Sequence, residues 1–559
     1  MWAIVCLHVL PATAQLPSIL WAKKFGGSGA DVPYSIKFTP DGGTIAAGYT
    51  TSKDGIIGNN PSRDYWDLWV VKISKCGDFQ WQRSFGGNDY ETARDIITTP
   101  DGGYLVLGET NSTDGDVIAG YGGTKDIWLL KLDASGNLQW QKRYGGNGLD
   151  IGNNIQLLPD GNYLIAASTS SNDGDFTGNH GTAGYTDGAL LKIDPSGTVL
   201  WTKCYGGSKN DELLDIEIID NKIYVAGYAN SIDGDIPPTQ KNYDVWLLCT
   251  DMNGTISFSK IFGGSQNDVA YSMCKGNDGT LTLAGYTTSN DGNVTGAKGS
   301  QDFWILNVSA TGVLKWQQTA GGTDAEYANS VIADSDGGYI AGGISYSEDG
   351  DVDNQKEEGD YWVIKLNAIG QIQWKQNYGG KETDHLHSII FNPDLNEYYL
   401  SGDAASIDGD FNDGQPNTDF GIIKLKLPNI DTIVCESENT VPDTLQDICG
   451  YDSVIIMCRK PTREESYKFQ QVRVPNAFTP NNDGVNDEFG AAGNFVTDFS
   501  MQIFNRYGQL VFQSNAINKR WNGVFRGQPQ PTGTFIYTIR YTDNNKQVQT
   551  LKGPFTLIR

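Results

Sequence analysis

The chain has 559 residues, with 41 Lys and Arg against 67 Asp and Glu, so its net charge of −26 repels nucleic-acid phosphates and anionic lipid and favours cations or basic surfaces. Nucleic acid is thereby excluded as a partner. Sixty-eight glycines among many Thr and Tyr point to strands joined by turns, in a chain long enough for several domains.

Residues 1–14 read as a signal peptide: an apolar run from Trp2 to Leu10 precedes the small-x-small pattern Ala12-Thr13-Ala14. No Lys or Arg comes before the run, so a truncated signal is expected. No other stretch could span a bilayer.

From residue 15 to 428 the chain repeats itself. Trp21, Trp81, Trp140, Trp201, Phe258, Trp316 and Trp374 each stand shortly before a Gly-Gly pair, at spacings of 60, 59, 61, 57, 58 and 58 residues. An acid follows each pair by four residues: Asp31, Glu91, Asp150, Asp211, Asp268, Glu326 and Asp384. In the first full unit, "YSIKFT" and "TIAAGYT" flank the turn Pro40-Asp41-Gly42-Gly43, whose glycines accept positive φ, and "DLWVVKIS" and "FQWQRSFG" flank a second turn. Four antiparallel strands repeated seven times predict a seven-bladed β-propeller, because each small sheet can bury its faces only against its neighbours. The region opens with a fourth strand and closes at "DFGIIKLKL" with a third, so the N-terminal strand is expected to complete the last blade and cover its edge. The recurrent tryptophans read as packing between blades.

In this topology the loop between strands two and three shares a face with the connection from one blade to the next. That face carries Asp54, Asp114, Asp116, Asp173, Asp175, Asp233, Asp235, Asp291, Asp349, Asp351, Asp408 and Asp410, mostly in Asp-Gly-Asp triplets. Two readings stand for them. Carboxylates around a glycine suit Ca²⁺, a hard cation that takes six to eight oxygens, whereas Asp and Gly together also form turns that hold neighbouring loops through backbone N–H groups. Calcium is the one cofactor these residues suggest. His385 and His387 alternate on the first strand of blade seven and project together, yet two ligands alone do not make a metal site, and a packed or solvated pair is the simpler reading. No nucleophile or zinc motif accompanies them or His180, so no catalytic residue is assigned.

Residues 429–470 form a linker or small insert with Cys435, Cys449 and Cys458, among which a disulfide is plausible in an exported protein. Cys76, Cys204, Cys249 and Cys274, scattered through the repeats, read as buried small hydrophobes. In the tail, residues 471–559, Asn481, Asp483, Asn486 and Asp487 bracket Gly484 in an oxygen-rich turn, another candidate calcium site or simply a structured turn. Alternating strands predict a small Ig-like sandwich there, with Trp521 and Phe535 in its core.

Four resemblances add to this reading. The words "YGGS", "AGYT" and "D.W..K" of residues 19–427 resemble the roughly sixty-residue repeats of the bacterial seven-bladed propeller family, which implies a fold and an extracellular setting but no single activity. "LDASGNLQW" and "KIDPSGTVLW" look like the tryptophan-docking motif of quinoprotein propellers, although the chain lacks the eighth blade and adjacent Cys pair typical of those enzymes. "VPNAFTPNNDGVNDEF", "MQIFNRYGQLVFQS", "WNGVFRGQPQPTGTFIYTIRYTD" and "GPFTLIR" closely resemble the gliding-motility-associated C-terminal domain, the type B sorting domain of the type IX secretion system. That resemblance implies the secretion machinery as a partner and a secreted or outer-surface destination. In the linker, "DTI", "DTL" and "DSV" are similar to the O-glycosylation acceptor of exported proteins of gliding bacteria, which would make Thr432, Thr444 or Ser453 a modification site. The function expected is a surface propeller that binds a glycan or protein through its acidic loop face. The alternatives are a polysaccharide hydrolase or lyase and a structural surface-layer component.

Overall fold

The computed structural model describes residues 16–426 except 59–64, 119, 121–123, 182–183, 239–241, 354–357 and 413–416, and toward the C-terminus residues 472–473, 477–478, 480, 489, 492–493, 497–517, 519–542 and 548–557. The signal, the linker with its three cysteines and acceptor motifs, and the turn with Asp483 and Asp487 lie outside the described residues. The chain divides into two compact units that change over near residue 431.

Seven four-stranded antiparallel sheets make up the first unit. Blade one is Asp31–Phe38, Thr44–Thr50, Asp67–Ile73 and Phe79–Phe85, and the others follow its plan. Blade seven consists of Asp384–Asn392, Glu397–Ala404 and Asp419–Lys426, and its fourth strand is Ser18–Phe25 from the N-terminus, in register from Ser18 opposite Lys426 to Phe25 opposite Phe420. Blade one's first strand packs against all three of these later strands, so the sheets meet around the ring.

Tryptophans bind the seams in two ways. Those of the outer strands lie over the turn glycine of the next blade: a Cβ on Gly77 would stand 2.9 Å from the Trp21 ring, and one on Gly136 2.7 Å from Trp81. Both glycines have φ near +79°, so the turn and the ring above it demand the same residue. The second set, Trp69, Trp128, Trp246, Trp304 and Trp362 on third strands, is fully buried. Blades three and seven carry Ala189 and Gly421 there instead, and in those two blades alone the loop residue in the same core cluster is a phenylalanine, Phe176 or Phe411. The Trp blades carry Ile57, Val117, Ile236, Val294 or Val352. Volume lost from the strand is returned by the loop, which is what an interior packed to crystal density requires.

The turn "PDGG" uses its glycines unequally. Gly42 takes φ +80°, but Gly43 does not have a positive φ; its Cβ would run into the Ile73 carbonyl oxygen, so it is the close approach of the third strand that excludes a side chain.

A β-bulge falls at the fourth residue of every first strand, from Pro33/Ser35 in blade one to Leu386/Ser388 in blade seven. The bulge aims that fourth side chain into the central channel. The fifth residue then bonds across the seam: Asp215 accepts from the Met273 amide at 2.7 Å, Ser272 from Val331 at 3.2 Å and Ser330 from Ile389 at 3.1 Å.

The C-terminal unit is built on a five-stranded sheet, with Thr497–Phe504, Leu510–Ser514, Gly533–Thr542 and Val548–Leu557 antiparallel and Ala477–Phe478 added in parallel. Alternation places Met501, Ile503, Phe535, Ile539 and Tyr541 on the buried side while Ile536 is 40% exposed. Trp521 packs edge-on against Phe535 in this core, as its sequence suggested.

One cysteine reading is corrected. Cys249 and Cys274 are buried and Cys204 half-buried, all with free thiols, but Cys76 is disulfide-bonded. It sits, half-buried, in the turn between strands three and four of blade one.

Candidate functional site

The acidic face is stapled by its own carboxylates. The first Asp of each triplet accepts a backbone N–H from the residue after the Gly-Gly pair: Asp54 from Ser28, Asp114 from Asn88, Asp173 from Asn147, Asp233 from Ser208, Asp291 from Ser265, Asp349 from Thr323 and Asp408 from Lys381, all between 2.7 and 3.0 Å. The second Asp accepts from the first glycine of the pair, as Asp116 does from Gly86 at 3.2 Å, Asp175 from Gly145 at 3.0 Å, Asp235 from Gly206 at 3.4 Å, Asp351 from Gly321 at 3.3 Å and Asp410 from Gly379 at 3.0 Å. Asp351 also pairs with Lys298 at 2.7 Å. Between the two, the triplet glycine has φ near +65° and stands so close to the Gly-Gly backbone that a Cβ would collide with it. These residues therefore hold one loop to the next, the turn role weighed for them in the sequence.

The acid after each Gly-Gly pair is fully buried at the first position of its strand. In all seven blades it accepts the amide of the second glycine, at 2.7 to 2.9 Å, together with hydroxyls or amides from the end of the second strand. Burial pushes all seven above the ordinary carboxylate range, and these hydrogen bonds pull part of the way back. Their role is structural.

The channel mouth on the same face is chemically richer. The bulged fourth residues are Tyr34, Arg94, Asn153, Leu214, Tyr271, Asn329 and His387, no two neighbours alike. From the rim inward runs a track of rings: Tyr65 to Tyr90 at 5.0 Å, Tyr90 to Trp66 at 5.4 Å, Trp66 stacked on Tyr49 at 4.3 Å, Tyr49 to Tyr34 at 6.2 Å, Tyr34 to His387 at 5.0 Å and His387 to His385 at 4.4 Å. Its outer members are open to solvent, with Tyr65 41%, Trp66 39% and Tyr90 39% exposed. Across the mouth Tyr271, Tyr286 and Tyr327 form a second row at 6.0 and 5.3 Å.

Charged groups stand between the rows. Arg94 lies over Tyr34 at 5.3 Å and bonds Glu109 at 3.1 Å, and Lys125 reaches the same carboxylate at 2.6 Å. Burial raises Glu109, but the two cations outweigh it together and hold this carboxyl below its ordinary range. Glu212, bonded to Tyr228 and Ser168, is instead raised by burial. His385 and His387 are joined by Asp403, which lies directly opposite His385 on the second strand of the blade and bonds His387 Nε2 at 2.6 Å. Burial, with the neighbouring His387, pushes the His385 imidazole down to about 3. Asp403, Glu109 and the aromatic track were not anticipated from the sequence; the signal available was the pairing of each first strand's second residue with the next-to-last residue of the second strand. His180 lies elsewhere, bonded to Asp187 at 3.0 Å.

Toward the tight-turn face the fourth residues also wall a cavity of about 660 Å³, where Lys37, Asp95, Asp215 and Glu217 meet. Lys37 pairs with Asp95 at 3.4 Å. Burial pushes Asp215 up to about 6 and Glu217 up to about 7. Among the described residues no helix is long and apolar enough to cross a membrane.

Residues 472–557 match the CHU_C type IX secretion signal domain, which directs a protein to the cell exterior or outer surface. Over 383 residues the chain is 22% identical to the regulatory protein FlaEY of Caulobacter vibrioides, a match that takes in 60% of this chain and 39% of that relative, so the chain spans well under half of FlaEY's length. Among solved structures, Sqt1 from Chaetomium thermophilum aligns with 74% of this chain and all of its own at 9% identity and a TM-score of 0.41, and the Neurospora crassa Pan2 WD40 domain with 72% of this chain and 90% of its own at 10% and 0.40. Likenesses this distant do not bear on activity. The propeller rests on its own seven sheets.

Proposed function

We propose that this secreted propeller is a binding protein of the cell surface whose ligand, a glycan, lies across the channel mouth on the acidic loop face. The observation that carries the reading is the solvent-open track of Tyr65, Tyr90, Trp66, Tyr49 and Tyr34 leading to Arg94 and Glu109. Flat rings of this kind accept the apolar faces of sugar rings at small entropic cost, and a few polar groups among them fix orientation. A rigid ring with irregular side chains at its mouth suits recognition. Purified full-length protein on an array of glycans and envelope components is expected to bind a restricted set, with Trp66→Ala and Tyr90→Ala each weakening binding at least about tenfold, the loss of one stacking contact of roughly 1.5 kcal/mol. Binding indifferent to both substitutions, or to no glycan at all, would return the choice to a protein ligand or a surface-layer role.

One observation favours a second reading, an enzyme acting on polysaccharide. Glu109 and Glu212 both interact with Arg94 at the mouth while their surroundings push one carboxyl down and the other up, the split that acid–base catalysis uses. New reducing ends released by the wild-type protein and not by Glu212→Gln would establish it.

A further inference from the structure

Blade seven carries a distinctive trio at the start of its first strand. The residue pair at the second and fourth positions of the first strand, with the residue facing the second position across the sheet, is Val32, Tyr34 and Tyr49 in blade one and Thr92, Arg94 and Glu109 in blade two; in blade seven it is His385, His387 and Asp403. One ligand atom from each of these three lies within 4.8 Å of the others. The bulge is what brings the histidines together: it turns His387 toward the channel beside His385, and their rings stand 4.4 Å apart.

We propose that His385, His387 and Asp403 bind a divalent transition-metal ion, with Zn²⁺ the best match, at the channel mouth. Two imidazoles and one carboxylate are the donors of open zinc sites, which leave further positions to water or a ligand. Ligand bonds of about 2.0–2.2 Å in a tetrahedral shell put neighbouring donor atoms roughly 3.3 Å apart. His387 Nε2 and Asp403 Oδ1 now stand 2.6 Å apart and need to separate by less than an ångström to admit the ion. Neighbouring side chains hold both imidazole rings in place. Asn329, from blade six, donates its amide N–H groups to His385 Nε2 at 2.7 Å and to the Leu386 carbonyl at 2.8 Å, and Tyr34 packs against His387 at 5.0 Å; ion binding therefore requires that amide to release Nε2 or to turn over and accept the ring N–H. The remaining positions face the mouth, where an incoming ligand's oxygen can complete the shell. This site does not depend on the ligand being a glycan.

The full-length protein is titrated with Zn²⁺ against a chromophoric chelator, and Co²⁺ is added separately for its visible spectrum. Expected are one ion per chain and the intense bands of a low-coordinate nitrogen–oxygen site, with the dissociation constant raised more than about tenfold in His387→Gln and in Asp403→Asn. Asp173→Asn, in a loop staple of blade three, keeps the wild-type affinity. Should the variants fold poorly, diethyl pyrocarbonate labelling of the wild type gives an independent reading: saturating Zn²⁺ protects His385 and His387 and leaves His180 reactive. No retained ion, unchanged affinity in folded variants, or equal labelling of all three histidines with and without Zn²⁺ overturns the proposal.

Discussion

Phe176→Val should destabilise the propeller, and adding Ala189→Trp in the same chain should restore most of what is lost. In blade three Phe176 and Ala189 share a core cluster, both fully buried. The five blades with a tryptophan at the strand position place Ile or Val at the loop position. Shortening Phe176 to Val removes four carbons and opens a void of roughly 50 Å³; at about 24 cal/mol per Å³, with the transfer cost of the lost atoms, the change comes to about 2–3 kcal/mol. Ala189→Trp alone forces an indole into space the phenyl ring fills, at a cost of about 1–3 kcal/mol or more. Together they recreate the Trp–Val pairing of blades two, five and six, and in blade four the corresponding Trp246 Nε1 donates to a hydroxyl, Ser259 Oγ, at 2.9 Å. Thr202 stands at the matching place in blade three, its hydroxyl donating to the Asp175 carbonyl at 2.9 Å and so oriented to accept from the new indole. With an unfolding entropy of roughly 2.1 cal/mol/K per residue, a propeller of about 410 residues loses near 3 °C of Tm for 2.5 kcal/mol. Calorimetry of the four proteins gives the double-mutant cycle, with an expected coupling of about 2–4 kcal/mol. A double variant as unstable as the two single changes summed would falsify the compensation.

Removing residues 16–25 exposes the edge of Asp419–Lys426 and strips Trp21 from Gly77; Tm is expected to fall by several degrees with self-association by light scattering, and a synthetic peptide of those residues to reverse it, whereas an unchanged Tm would show that the strand is dispensable. Acidification from pH 8 to about 5.5 is expected to raise Tm. The sign follows from burial: Asp126, Asp187 and Asp215 are pushed up to about 6 and Glu217 to about 7, so the folded chain holds these protons more tightly and their contribution, full below the ordinary carboxylate range, is lost as pH rises through 6 to 7. A Tm that climbs from pH 5.5 to 8 contradicts it. Because the triplet carboxylates are committed to backbone N–H groups, millimolar Ca²⁺ against chelator is expected to move Tm by less than about 1 °C, and a larger rise would restore calcium to these loops. Peptide mapping should find the segment containing Cys76 cross-linked before reduction and free after it, with Cys249 and Cys274 recovered as thiols throughout; recovery of Cys76 as a thiol without reductant refutes the bond.

The glycines in tight turns, the alternation of the strands and the recurring tryptophans are local or periodic facts, so seven blades and the borrowed strand Ser18–Phe25 could be read directly from residue order, whereas the sorting tail was recognised by its resemblance to a known secretion domain. Even the acidic face was legible, since topology alone puts all its loops on one side. What the acids do there was not, because a carboxylate's role depends on which N–H lies within 3 Å of it, and Asp173 and Asn147 are 26 positions apart. The exchange of volume between Phe176 and Ala189 likewise needed the loop folded onto the strand. His385 and His387 were visible as a pair; Asp403 joined them only through strand register, and the bulge that rotates His387 into the channel leaves no mark of its own in the sequence. Period and turn chemistry act over a few residues and survive in one dimension, whereas a site gathers side chains whose neighbours are set by hydrogen-bond register and packing across distant parts of the chain.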